Sequence, residues 1–404
     1  MTDSISRRLL NLPKSPAGAK LCALIALAAA TALIAHARSP GLPPPQTSAS
    51  IVPAIVQAGA PRIDAVFVLD TTGSMSHLIE GAKRKIWSIA NQMASANTTP
   101  EIRLGLIGYR DRGDAYVTRR FALDGDIDAL YGHLQSFQAG GGGDGPESVN
   151  QALHEAVTAM GWNDDPSVYK VIFLVGDAPP HMDYQDDVRY ADSVKLASTR
   201  GIVVNTIQCG PDPHTAQIWQ EIARLSQGNY AAIAQDGAMV ASTTPMDEEL
   251  ARLNRDISET VVAYGGAEQR EELLGKLRQT FRALPSAVAS RLAYFDKKGG
   301  ALNSGRADLV DGVSAGEVDL EALPAAALPE EMRDMSTDEQ RAYLEKKEKQ
   351  RREVQDRIST LVQERDAYLA DEAAKREAEG VDDAFDEKVF ETIRNQAAKK
   401  GIAY

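Results

Sequence analysis

Short apolar runs alternate along the chain with longer stretches in which apolar residues recur every three or four positions. Ile63 to Leu69 (IDAVFVL), Ile102 to Tyr109, Lys170 to Val175 (KVIFLV) and Ile202 to Ile207 are brief and rich in β-branched and aliphatic residues. Runs of that kind fit strands buried on both faces of a parallel sheet. Tyr116 to Leu123 (YVTRRFAL) predicts an edge strand paired to the second of these, and Asn229 to Ile233 a terminal strand. Between them, Met75 to Ala96 carries Leu78, Ile79, Ala82, Ile86, Ile89, Ala90 and Met93 as a helical stripe. Further helices are predicted at Ile127 to Phe137, Ser148 to Met160, Val188 to Thr199, Ala216 to Ser226 and Met246 to Ala263. Strands separated by helices imply right-handed crossovers. The predicted fold class is therefore α/β, a doubly wound, mostly parallel sheet with helices on both faces, over residues 63–265.

After Gly265 the pattern changes. Ala267 to Leu292 reads as helical, and Ala293 to Leu328 as irregular and rich in small residues. Thr337 to Ala378 is dominated by Lys, Arg, Glu, Asp and Gln, with Val354, Ile358, Leu361 and Tyr368 keeping a seam that Arg351 and Arg365 interrupt. That predicts a long charged helix, part of a hairpin and not an extended coiled coil, its charges facing solvent. Phe385 to Lys400 predicts a last amphipathic helix. Residues 266–404 thus form a helical C-terminal region, and no internal repeat is present.

The amino terminus has the composition of a targeting segment. Arg7, Arg8, Lys14 and Lys20 precede the apolar core Leu21 to Ile34, and Ala35-His36-Ala37 has the form of a cleavage signal. That core is shorter than the roughly 20 residues a bilayer span needs, so residues 1–37 read as a signal peptide, with a signal anchor as the alternative. Residues 38–62, rich in Pro, Ala and Ser, read as a linker. The expected location is periplasmic or secreted, with anchoring to an inner membrane if the segment is kept. The chain of 404 residues has a formal net charge of −13, which becomes about −16 without residues 1–37. An acidic chain argues against nucleic acid or anionic lipid as partners and favours cations. Cys22 lies in the signal and Cys209 in a predicted strand, so a disulfide within the mature chain is excluded.

Candidate chemistry gathers at three loops. Asp70-Thr71-Thr72-Gly73-Ser74-Met75 follows the first buried strand. Asp70, Thr72 and Ser74 alternate, so one carboxylate and two hydroxyls can converge off the strand end. They offer hard oxygen ligands only, which suit Mg²⁺, Ca²⁺ or Mn²⁺ better than zinc or copper. A plainer reading makes Ser74 an N-cap and Thr72 a turn residue. The second loop, Gly140 to Ser148 (GGGGDGPES), holds Asp144 and Glu147, with Pro146 suited to the first turn of the next helix. No Gly-Lys-Ser/Thr follows, which excludes a phosphate-cradling loop. The third is Gly176-Asp177-Ala178-Pro179-Pro180-His181, an acid at the end of another buried strand. His181 and Asp183 near the same edge can contact a ligand or a metal-bound water, or be neutral surface residues. Asp111, Arg112 and Asp114 in YRDRGD either border that edge or form a charged turn; no adhesive role is credited to the embedded RGD.

The order D-x-[ST]-G-S-M, with these later loops, resembles the metal-ion-dependent adhesion site of von Willebrand factor type A domains. Residues 63 to about 265 are similar to that family, and GDGPE is similar to the D-x-P-E loop of integrin β-subunit I-like domains. The resemblance implies a Rossmann-like von Willebrand A fold. It also implies a metal held by Asp70, Thr72, Ser74, Glu147 and Asp177, the last often through water. Asp144 either replaces the threonine usual in this loop or helps hold a second cation. The function implied is non-enzymatic, cation-dependent protein binding in the cell envelope, a partner Asp or Glu completing the metal shell. Two alternatives remain. One is a Mg²⁺-dependent phosphohydrolase-like enzyme, against which no phosphate-gripping lysine or Asp-x-Asp pair is found. The other is a structural envelope protein acting through its C-terminal helices.

Overall fold

A computed structural model describes residues 60–143, 145–235, 243–300, 307–379 and 384–404. The predicted signal, nearly all of the linker, and Asp144 lie outside the described residues. Six strands form one sheet: β1 Arg62–Asp70, β2 Glu101–Tyr109, β3 Thr118–Asp124, β4 Tyr169–Gly176, β5 Ile202–Cys209 and β6 Tyr230–Ile233. Their order is β3-β2-β1-β4-β5-β6. Every neighbouring pair is parallel except the edge strand β3, which runs antiparallel to β2. The strand order reverses at β1, and ligands bind at such a switch point in open α/β sheets. Register sets Asp70 opposite Tyr109 and Leu69 opposite Val175, so the loops after β1, β2 and β4 leave the same edge.

Alternation along β1 divides the core into two layers. Ala65, Phe67 and Leu69 point to one face, with Trp87 and Ile89 of α1 (Ser76–Ala94), Tyr131 of α2 (Ile127–Gln135) and Phe173. Val66 and Val68 point to the other. There they meet Leu153 of α3 (Val149–Thr158), Val194 of α4 (Tyr190–Thr199) and Trp219 of α5 (Pro213–Leu225). α6 (Asp247–Ser258) follows the last strand.

The C-terminal region adds further helices. They are α7 Ala267–Thr280, α8 Pro285–Lys297, α9 Leu309–Ser314, α10 Thr337–Glu379 and α11 Ala384–Ala397. Tyr294 and Phe295 of α8, with Val389, Ile393 and Ala397 of α11, join the core layer that holds Trp87. Arg291 of α8 bonds both carboxylate oxygens of Asp128 on α2 at 2.6 and 2.8 Å, with both residues buried. Gln396 accepts from the Tyr169 hydroxyl at 2.7 Å and exchanges amide bonds with Asn205 at 3.1 and 2.8 Å, tying α11 to β4 and β5.

Four expectations need correction. The single helix predicted over Ala267 to Leu292 is two, because Pro285 starts α8 and forces extended backbone on Leu284. The stretch expected to be irregular contains the end of α8 and α9, with short 3₁₀ turns between Leu320 and Met332. Pro146 lies outside the following helix, which begins at Val149. The two arginines expected to break the α10 seam toward solvent are buried. Arg351 pairs with Asp308 at 2.7 Å and Arg365 with Asp247 at 2.8 Å. Among the described residues no helix is long and apolar enough to cross a membrane.

Candidate metal centre

Asp70 ends the central strand fully buried, and the chain turns sharply after it. Its Oδ1 accepts from the Thr72 amide at 2.8 Å and from the Thr72 hydroxyl at 2.6 Å. The Thr72 and Ser74 hydroxyl oxygens lie 3.2 Å apart. One carboxylate and two hydroxyls therefore converge, as the alternation predicts. The capping reading of Ser74 does not hold: a 3₁₀ turn, Gly73–Met75, opens the helix without a side-chain cap bond. Ser74 is exposed and Thr72 buried, so the cluster opens to solvent on one side.

The glycine loop passes directly over this turn. Gly140 N donates to Thr71 O at 3.1 Å, and Gly73 N to Gly141 O at 3.2 Å. Gly141 and Gly142 have φ of 77° and 78°, a left-handed backbone that favours glycine. A Cβ on Gly142 would lie 3.1 Å from Glu147 Oε1 and 3.2 Å from Thr72 Cβ, so its backbone threads between those two residues. Arg110, buried behind the loop, donates to Thr71 O at 3.1 Å and to Gln138 O at 2.6 Å. The third loop is stitched to the second: Glu147 N donates to Pro179 O at 2.9 Å and His181 N to Glu147 O at 3.0 Å. Asp177 is half-buried, and Gln235 Nε2 donates to its Oδ2 at 2.6 Å.

The electrostatics are those of a site short of positive charge. Burial pushes the Asp70 carboxyl up from 3.8 to about 7; the Thr72 hydroxyl opposes this and the Asp177 charge adds to it. Burial pushes Glu147 up from 4.5 to about 9, followed by the charges of Asp70, Asp111, Asp114 and Asp177. Asp70 Oδ2 and Glu147 Oε2 are buried with no hydrogen-bond partner among the described residues. Such oxygens cost free energy unless something outside the chain pairs them. Among the described residues no three His, Cys, Asp or Glu side chains form a metal-holding group by themselves. The donor set here is mixed, carboxylate and hydroxyl, and its two orphaned carboxylate oxygens fit a hard divalent cation.

The structure gives His181 and Asp111 more than the surface or turn roles left open for them. His181 is only 5 % exposed; its ring stacks on Tyr184 at 4.1 Å and its Nδ1 lies 2.8 Å from Asp183 Oδ1. Asp111, also buried, accepts from Ser148 Oγ at 2.9 Å and from the Tyr184 hydroxyl at 2.9 Å, and faces His181 Nε2 at 3.4 Å. Together they clasp the second and third loops on either side of Glu147. Ser148 and Tyr184 were missed from the sequence. A hydroxyl beside an acidic loop residue was the available signal for Ser148, and nothing local marked Tyr184. Arg112 of the RGD stretch is held by Asp186 and Asp187 and lies over the Tyr184 ring.

Residues 65–245 match the family model described as von Willebrand factor A domain, and domains of this family are protein-interaction modules. A stretch of 121 residues is 30% identical to the alpha-protein kinase vwkA of Dictyostelium discoideum, covering 30% of this chain and 19% of that protein. A stretch of 119 residues is 28% identical to a putative ariadne-like RING finger protein of Acanthamoeba polyphaga mimivirus, covering 30% of this chain and 11% of that one. The chain therefore spans only a minor part of either relative's length. Among solved structures, proximal thread matrix protein 1 from the mussel byssus aligns with TM-score 0.34 and 16% identity over 44% of this chain and 43% of that one. The SpRpn10 VWA domain aligns with TM-score 0.34 and 14% identity over 48% of this chain and 95% of that one.

Proposed function

We propose that the von Willebrand factor A domain carried at residues 65–245 binds a protein partner through a divalent cation, Mg²⁺, Ca²⁺ or Mn²⁺. The observation that carries this reading is the buried, unpartnered Oδ2 of Asp70 in a cluster with two hydroxyls, beside Glu147 and Asp177. Asp70, Thr72 and Ser74 would hold the ion, with Glu147 and Asp177 around it; Asp144 lies outside the described residues. A bound ion would supply an electrophilic position that an Asp or Glu of the partner completes.

The chain's own residues do the positioning. The Thr72 hydroxyl donates to Asp70 Oδ1, which turns that carboxylate and keeps the oxygen lone pairs of Thr72 for a ligand. Ser74, exposed at the mouth, sits where a partner approaches. Gln235 orients Asp177, and the Asp111 clasp holds the loop that carries Glu147. The mixed set of one carboxylate and two hydroxyls leaves the ion incompletely neutralised, so a partner acid gains from binding. This reading is non-enzymatic, and the amino-terminal signal supports a role outside the cytoplasm, periplasmic or secreted.

The test is capture of partners from an envelope extract in Mg²⁺ and in chelator, repeated with Asp70→Ala. Cation-dependent capture that the variant loses is expected. Capture indifferent to both overturns the reading, and phosphoester turnover lost in the variant would replace it with an enzyme.

A further inference from the structure

We propose that the opposite, amino end of the sheet carries a second binding site, for a phosphate-sized oxyanion, built from Lys170, Arg200 and Lys400. A cavity of about 380 Å³ lies there, lined by these three cations together with Trp162, Asn163 and Ser198. Lys170 is the second residue of β4, Arg200 follows α4, and Lys400 closes the turn after α11. Three segments far apart in sequence thus bring like charges to one opening, in a chain whose net charge is −13.

Among the described residues each cation bonds a carbonyl. Lys170 Nζ donates to Asn163 O at 2.8 Å, Arg200 Nη1 to Val157 O at 2.6 Å and Lys400 Nζ to Pro166 O at 2.8 Å. Among the described residues none of the three has a carboxylate within ion-pairing distance. Asp64, which acts on Lys170 through its charge, is committed to Arg103 and to the Asn163 amide. Exposed Asp164 also lines the cavity, leaving a formal surplus of two positive charges.

Lys170 is 5 % exposed, yet its ammonium, with three donors, uses one. Burial holds that ammonium below the usual lysine range, with the charges of Asp64 and Asp164 opposing the shift and those of Lys400 and Arg200 adding to it. Arg200 caps a carbonyl near the end of α3, while Lys170 and Lys400 bond loop carbonyls. Single carbonyl bonds do not explain why three cations converge on an open cavity whose described lining holds one acid, Asp164. A tetrahedral dianion matches the surplus charge and the unused donors, with the guanidinium fork of Arg200 suited to two of its oxygens.

The test follows thermal unfolding of the full chain in chelator as inorganic phosphate or glycerol phosphate is added, against sodium chloride of equal ionic strength. A saturable rise in Tm is expected, with a midpoint of about 1 mM or lower. Lys170→Met and Lys400→Ala should each move that midpoint by about tenfold or more. Lys400 is exposed, so Lys400→Ala keeps the fold and reads the site alone. A rise with either ligand supports the site and identifies whether free phosphate or its ester fills it. No rise beyond that in chloride, or a rise that both variants retain, overturns it.

Discussion

At the carboxyl end of the sheet, Asp70 and Glu147 bury oxygens that no group of the described chain pairs. At the amino end, Lys170, Arg200 and Lys400 bond carbonyls and, among the described residues, form no ion pair. Elsewhere the same chain pairs its buried charges with care: Arg291 with Asp128, Arg351 with Asp308, Arg365 with Asp247. The difference separates charges that pair within the fold from charges that the described chain leaves uncompensated. A buried pair satisfies itself, and removing one partner leaves a costly orphan. An uncompensated cluster at a sheet end keeps its cost unless a group from outside the chain pairs it.

That comparison breaks most readily at Asp70. Asp70→Ala should weaken Mg²⁺ or Mn²⁺ binding by about a hundredfold or more, measured by calorimetry; unchanged affinity would remove the metal from this edge. The next effect is on stability without the ion. An acid whose folded pKa lies above its unfolded value contributes stability at low pH that is lost as pH rises through the folded value. In chelator, Tm should therefore fall as pH rises from about 4 through about 7 for Asp70, and on toward about 9 for Glu147. Saturating Mg²⁺ should flatten that decline, and identical pH profiles with and without the ion would refute it.

Two smaller changes separate architecture from site. Gln396→Ala strips partners from buried Tyr169 and Asn205 and should cost about 1–3 kcal/mol in denaturant unfolding. It should leave cation affinity at the far edge unchanged; a large loss there would show that the two ends are coupled. Gly141→Ala places a Cβ 2.3 Å from the Asp114 carboxylate on a backbone with φ of 77°. It should cost about 1–2 kcal/mol, and weaken cation binding because the loop can no longer lie on the Asp70 turn.

Much of this was readable in one dimension. Strand period and loop chemistry are local, so β1, its turn and the alternation of Asp70, Thr72 and Ser74 follow from adjacent residues. Asp177 was legible for the same reason, as an acid ending an apolar strand. Even the break before α8 was written in Pro285, and the apolar positions on either side of it masked the signal. His181 was undervalued because its burial comes from Tyr184 and from Asp111, which precedes it by 70 residues. Arg351 and Arg365 read as solvated because a charged helix gives no hint of the acids waiting on α6 and beside α9.

The sequence by itself determined the order of strands and helices, the kind of side-chain oxygen at each loop, and which strand ends carry acids. Only the tertiary structure decided that Asp70 and Glu147 keep an oxygen without a partner among the described residues, that α8 and α11 complete the core beside Trp87, and that three cations share one cavity. The reason is physical: identity and periodicity are properties of neighbouring residues. Whether a charge is satisfied depends on what the folded chain places within about 3–4 Å of it.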